Sequence, residues 1–321
     1  MQESLLNKLR DRSALPWIFL VVATLVFSWI DLRGSSFGQF LAPALGDPQE
    51  SGNFGRFAIG LVFAFAIAGN ILLLRIFSFR TQVLIVWLEL LVLALAFFNS
   101  FDLSYSFIAS KLPFLITQGA FTTIYISLSA ILIACILAMM AALGRLSSNG
   151  LAYGISSFYI SFFRGTPLLL QVYLIYLGLP QMGIVVDAIP AGIAALALCY
   201  GAYMAEIFRA GITGIPKAQS EAAAALGLRK PVIFRKIVLP QAMRMIIPPT
   251  GNQFIAMLKD SSLISVMGIW ELMFLARTQG RAEFKHLEML VTAALVYWAM
   301  SIIFELIQAR IEKHYGKGQT R

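Results

Sequence analysis

Glu206 and Arg209 stand three residues apart inside one apolar run, and Lys259 stands directly before Asp260 inside another. Charged side chains at membrane depth are costly and by default mark a substrate or ion path. Tyr203, Glu206 and Arg209 recur at helical spacing, so they follow one side of a helix. Tyr203 and Glu206 are therefore candidate path residues, and an ion pair between Glu206 and Arg209 at a helix end is the competing arrangement. Lys259 and Asp260 point about 100° apart on a helix and cannot neutralise one another, so each needs a partner elsewhere. Asn252 lies on the same helical face as Lys259 and could line the same path. Lys259-Asp260-Ser261-Ser262 could instead break the helix and tie its neighbours together.

Other chemistries find no residues to carry them. His286 and His314 are far apart in sequence, with no Cys or carboxylate at ligand spacing, so no metal site is expected. Cys135 and Cys199 lie inside apolar runs and do not form a disulfide framework. No phosphate-binding G-x-x-x-x-G-K-[ST] loop occurs, and the terminal "GKGQTR" lacks its spacing, so the chain has no such route to splitting ATP. No catalytic group and no cofactor of its own are expected.

The elements that must position the charged residues are membrane helices. The chain is 59% hydrophobic and 13% charged, against about 45–50% and about 25% for a soluble domain. Its net charge of +9 sits in clusters between apolar runs rather than along one face, which argues against nucleic acid. A crossing helix needs about 20 mainly apolar residues. Eight candidate spans follow: Pro16–Leu32, Phe57–Leu74, Thr81–Phe98, Thr117–Leu143, Tyr153–Leu177, Ile189–Phe208, Met245–Met273 and Leu287–Ile307. The predicted class is an all-α integral membrane protein. With the N-terminus inside, eighteen Lys and Arg fall on cytoplasmic segments and six outside, so both termini are expected to face the cytoplasm. The first apolar run has no small-x-small cleavage site after it and reads as an uncleaved helix rather than a signal peptide. Trp17 and Trp298 read as interfacial anchors or packing residues, and Glu89 as a polar contact to the bundle.

The longest cytoplasmic loop, 217–240, holds "SEAAAALGLRKPVIFRKIVLP". Pro216 should start a helix, and Gly227 should end it with a left-handed cap. A second short helix should begin at Pro231 and stop at Pro240. A lipid-surface helix would want bulky anchors, whereas Ala222, Ala223, Ala224 and Ala225 let another backbone approach closely. The loop therefore reads as a docking element for a cytoplasmic partner.

Glu221-Ala222-Ala223, then Gly227, then Ile237-Val238-Leu239-Pro240, resembles the EAA loop of ABC-importer permeases. "QGAFTTIYISLSA", "FFRGTPLLLQVYLIYLGLP", "AYMAEIFRAGI" and "LKDSSL" are similar to successive segments of the polar-amino-acid branch of that family. Ala218 departs from the glycine usual before Gln219. The resemblance implies a five-helix type I permease core over 113–310, preceded by a three-helix extension over 1–112 and followed by a cytoplasmic tail over 311–321. It implies a multi-pass protein of the bacterial inner membrane that forms the translocation path for an amino acid. It also implies a separate ATPase subunit gripped through Glu221, Ala222, Ala223, Gly227, Ile237, Leu239 and Pro240, which would bind the ATP. A second permease subunit, like or unlike, and an extracytoplasmic solute-binding protein complete the implied assembly.

Two readings compete with this one. An ion-driven secondary transporter or channel would need repeat symmetry or paired broken helices, which the sequence does not display. A scaffold whose basic loop binds lipid would need bulkier anchors. Arg164-Gly165-Thr166-Pro167 reads as the cytoplasmic entry to the fifth span, the alternative being an unwound stretch lining a cavity.

Overall fold

A computed structural model describes residues 15–35, 41, 52–99, 101 and 103–315. The N-terminal Lys8, Arg10 and Arg12, the Trp17 side chain, most of the linker after the first helix and the tail beyond Tyr315 lie outside those residues. All of the described regular structure is helical. Two compact units are present, Met1–Asp102 and Leu103–Arg321.

In the first unit, α1 (Leu15–Ile30) packs on α2 (Gly52–Leu74) through small residues. Ala23, Thr24 and Ala64 are buried, and a Cβ on Gly60 would sit 2.8 Å from Ser28 Oγ. Small side chains let helix backbones close up where lipid supplies no hydrophobic drive. Phe27 and Phe63 meet edge to face at 4.7 Å. The third helix, α3 (Phe79–Asn99), carries Glu89, whose carboxylate accepts a 3.0 Å hydrogen bond from Asn70 of α2. Glu89 is thus satisfied inside its own unit.

The second unit opens with α4 (Tyr105–Arg145), which absorbs Pro113 and a π-helical stretch at Leu115–Ala120 without stopping. Next come α5 (Gly150–Gly165) and α6 (Leu168–Gln181), then α7 (Ala188–Thr213). The pairing of α4 with α7 forms the main core. Ala130, Ala134 and Ala138 meet Ala191, Ala195 and Ala205 there, and a Cβ on Gly201 would lie 3.0 Å from that of Leu137. After α7 come α8 (Lys217–Ala225), α9 (230–260), a 3-10 segment at Ser261–Met267, α10 (Leu272–Ala282) and α11 (His286–Tyr315). A second core joins Leu115 of α4 to Leu272 and Leu275 of α10 and to Met289 and Tyr297 of α11.

Five described helices are long and apolar enough to cross a membrane, or six if the bent α5–α6 pair is one span. They coincide with the second, third, fourth, sixth and eighth expected spans. The first falls on a short apolar helix, Ile18–Ile30. The fifth is not a straight rod, because α5 and α6 meet at 109°. Thr166, before Pro167, is held extended at φ −108° and ψ 143°, as a residue preceding proline prefers. The Gln171 amide donates to the carbonyls of Phe163 and Thr166 and so satisfies the corner. The seventh expected span is also broken. Its helix ends at Asp260, and a left-handed Gly268 at φ +76° turns the chain toward α10.

Candidate functional site

The alanine-bearing loop folds as expected on its N-terminal side. Pro216 is extended at ψ 129°, and α8 begins directly after it. Gly227 adopts φ +78°. Its N–H donates to Ala224 O at 2.9 Å, and the N–H of Leu228 donates to Ala223 O at 3.2 Å. These are the paired bonds that satisfy the last carbonyls of a helix through a left-handed residue. No atom lies within 4 Å of a Cβ placed on Gly227, so the demand for glycine is one of backbone angle alone.

The C-terminal side differs from expectation, because Pro240 does not stop a second helix. Lys230–Ile233, a π-helical turn at Phe234–Val238 and Leu239–Asp260 run on as α9. Leu239 N–H reaches back five residues to Phe234 O. That wider turn absorbs the proline, which has no N–H to give and whose ring would crowd an α-helical carbonyl. The loop is therefore one short helix hinged by glycine onto the start of a long one. The short helix is thereby joined to a helix that runs on into the core.

Packing divides the loop residues into two sets. Ala223, Ile233 and Val238 are buried together, with Ile237 and Phe234 against them. Gln241 Nε2 donates to Gln219 and to Ile237 O, tying α8 to α9. Ala223, Ile237 and the half-buried Leu239 thus hold the loop's shape, while Glu221, Ala222, Gly227 and Pro240 are exposed. Leu226, 83% exposed, and Leu228 flank the glycine as unburied apolar groups. They were not singled out in the sequence, although two leucines bracketing a helix-capping glycine in water are a readable signal.

The polar residues of the helices fall into pairs. Tyr200, Tyr203 and Glu206 form a line along α7. The Tyr200 hydroxyl donates to Asp260 Oδ2 of α9 at 2.7 Å, and Tyr203 lies 5.6 Å from the Arg164 guanidinium of α5. Glu206 Oε2 accepts from Arg209 Nε at 2.9 Å and Nη2 at 2.7 Å. Asn252 accepts from Gln308 of α11 at 2.9 Å. Lys259 is exposed and has no ion-pair partner among the described residues. The structure joins Asp260 to the α7 line through Tyr200. Among the described residues no hydrogen bond or ion pair links Asn252 to Glu206.

One polar residue escaped sequence reasoning. Glu271 is fully buried, and its carboxylate accepts from the N–H groups of Met273 and Phe274 and from the Tyr297 hydroxyl at 2.8 Å. Beside it Leu272 N–H donates to Thr123 of α4. A glutamate cap on α10 thus fastens three helices. A cavity of about 720 Å³ between α4, α7, α9 and α11 is lined by Met139, Phe208, Ile246, Phe254 and Phe304. Its apolar walls suit no charged solute.

Comparison with known proteins decides the family. Residues 134–317 match the family described as the inner membrane component of binding-protein-dependent transport systems. The chain belongs to that family. Among its relatives, the probable amino-acid permease protein YxeN of Bacillus subtilis (strain 168) is 36% identical over 222 residues, covering 68% of this chain and 98% of YxeN. The arginine transport system permease protein ArtQ of the same organism is 37% identical over 213 residues, covering 66% and 97%. A crystal structure of an amino acid ABC transporter with histidines superposes with a TM-score of 0.62 at 34% identity, covering 66% of this chain and 99% of that one. The inward-facing MetNI methionine ABC transporter shares the fold at 18% identity, with a TM-score of 0.55 over 63% of this chain and 96% of that one. The permease is thus all-helical with a type I ABC-importer fold. About a third of the chain lies outside the matches to these relatives.

Proposed function

We propose that this permease is the translocation subunit of an ATP-driven amino-acid importer, coupled to a separate ATPase through 217–240. The observation that carries the reading is the glycine-capped α8 hinged onto α9, with Glu221, Ala222, Leu226 and Pro240 exposed. Similarity to amino-acid permeases supports the substrate class. The ATPase binds and splits ATP, and closure of its two copies pushes α8, which rocks α9 and alternates access. This chain performs no covalent step. The loop and both termini face the cytoplasm, and a solute-binding protein delivers the amino acid from outside to a pair of permease subunits. Tyr203, Glu206, Asn252, Lys259 and Asp260 supply the polar groups of the path, with Glu206 meeting the substrate ammonium.

Co-expression with a polyhistidine-tagged ABC ATPase, detergent extraction and reconstitution test this reading. The expected result is a stable complex whose vesicles accumulate an amino acid only with ATP. Uptake driven by a proton or sodium gradient without an ATPase would overturn it.

A further inference from the structure

Two helix ends in this chain use the same backbone closure, and they fill its left-handed position very differently. At the end of α8 the position is Gly227. At the end of α10, Lys285 N–H donates to Gly280 O at 2.8 Å and Phe284 N–H to Arg281 O at 3.5 Å, and Phe284 takes φ +54°. A bulky side chain in that region is strained by roughly 1–2 kcal/mol. The ring gains no packing in return, being 90% exposed with no ring partner among the described residues. A strained, exposed aromatic at a turn is a reason to look for something that binds there.

The surroundings are cationic. Arg277 and Arg281, four apart on the exposed side of α10, have no ion-pair partner among the described residues. Lys285 lies 4.9 Å, and Lys111 of α4 5.6 Å, from the same Phe107 ring, which gathers them into one patch. Glu283 is the exposed carboxylate in the turn. The turn also lies far from α8. The 30 residues of α11 rise about 1.5 Å each; Gln308 near its far end bonds Pro248 and Asn252 of α9, and Phe304, one turn earlier, meets Phe254 further along α9 at 4.9 Å. α11 therefore runs antiparallel to α9 and starts at the end opposite the coupling loop. Four of the six cations expected outside lie on this turn or beside it, against the inside bias of the rest of the chain.

We propose that Phe284, in one turn with Arg281 and Lys285 and following Arg277 on α10, is the docking anchor for the solute-binding protein, which meets it with an apolar dimple inside an acidic rim. This rests on the importer reading above, and the family's dependence on a binding protein supplies the partner. Exposed aromatics and arginines dominate binding at such centres, and rim charges steer the approach. An anionic lipid surface fits less well. Leu272, Leu275 and Ala276 of α10 are buried in protein and Met273 and Phe274 pack half-buried on the same core, so the helix itself offers lipid no broad apolar face.

The test uses the full permease–ATPase complex in proteoliposomes and titrates whichever purified amino-acid-binding protein most raises wild-type ATP hydrolysis. Phe284→Gly keeps the backbone angle and removes the ring, and Arg277→Glu with Arg281→Glu reverses the charge. Each should raise the half-stimulating concentration about ten- to thirtyfold while hydrolysis without binding protein is unchanged. The charge variant should also lose most of the salt dependence, and acidic-to-basic changes on the binding protein should restore it. An unmoved half-stimulating concentration in both variants would overturn the anchor while leaving the importer intact. A defect that appears only in vesicles rich in anionic lipid would assign the patch to the membrane and overturn it equally. A wild-type chain that recruits no ATPase would remove the importer reading first, and the anchor with it.

Discussion

Tyr200 of α7 donates a 2.7 Å hydrogen bond to Asp260 at the end of α9, sixty residues away in sequence. The tyrosine is buried and the carboxylate is exposed, so the bond joins a core position to a solvent-facing one. Because α9 also begins at the 217–240 loop, the proposed coupling through α8 would reach α7 at this contact.

Tyr200→Phe should therefore lower coupled transport severalfold while costing about 1 kcal/mol of stability, the usual worth of one hydrogen bond. Asp260→Asn, which keeps an acceptor, should be milder. Uptake per molecule of ATP, together with thermal unfolding of the purified complex, checks both. Equal efficiency in Tyr200→Phe would mean that the bond serves packing alone.

The glycine at 227 allows a graded experiment. Gly227→Pro cannot take φ +78° and should abolish transport with normal membrane insertion. Gly227→Ala pays only the left-handed strain, roughly 1–2 kcal/mol, because nothing crowds its Cβ. Gly227→Asn should come closest to wild type. Glu221→Lys should insert normally and fail to recruit the ATPase. ATPase pull-down at matched membrane abundance reads all four, and recruitment by Glu221→Lys would exclude that side chain from the interface.

Removing the first unit tests what the extension does. A chain beginning at Leu103, led across by a cleavable signal sequence, keeps α4 whole and should still bind the ATPase. A start nearer Leu112 would delete Ser104 and Phe107, which hold Lys285 by a 2.9 Å hydrogen bond and by ring contact. That shorter chain should be less stable. Loss of ATPase binding by the longer one, at normal abundance, would make the extension part of the coupling machinery.

Much of the loop was legible because each device is local. A proline fixes its own φ and its predecessor's, and a glycine beyond an alanine run announces a left-handed cap. The continuation past Pro240 was not legible, since a π-turn depends on one carbonyl, Phe234 O, finding an N–H five residues on. The break at Asp260 was readable as a possibility from four polar residues in a row, but the Tyr200 partner spans sixty positions. Glu271 carries no local signal, because its burial among α4, α10 and α11 is a tertiary fact. Hydropathy located most crossing helices and missed the corner at Thr166, where composition stays apolar while direction changes by 109°.

The substrate role of Glu206 is the most exacting prediction. Its carboxylate is already held by Arg209 at 2.7 Å, and both side chains are partly exposed. A partly hydrated pair of this kind contributes little to stability, about 0–1 kcal/mol, so an incoming ammonium can displace the arginine at small cost. Glu206→Gln removes a charge-assisted bond to that ammonium and should weaken substrate binding by roughly 1.5–3 kcal/mol, about ten- to a hundredfold. The half-saturating amino-acid concentration should rise accordingly, and basal ATP hydrolysis and ATPase binding should hold. If the glutamate serves only Arg209, then Glu206→Gln and Arg209→Gln should instead share a small loss of stability with unchanged half-saturation. Measuring uptake and thermal unfolding in the same reconstituted preparations separates the two, and an unmoved half-saturation removes Glu206 from the path.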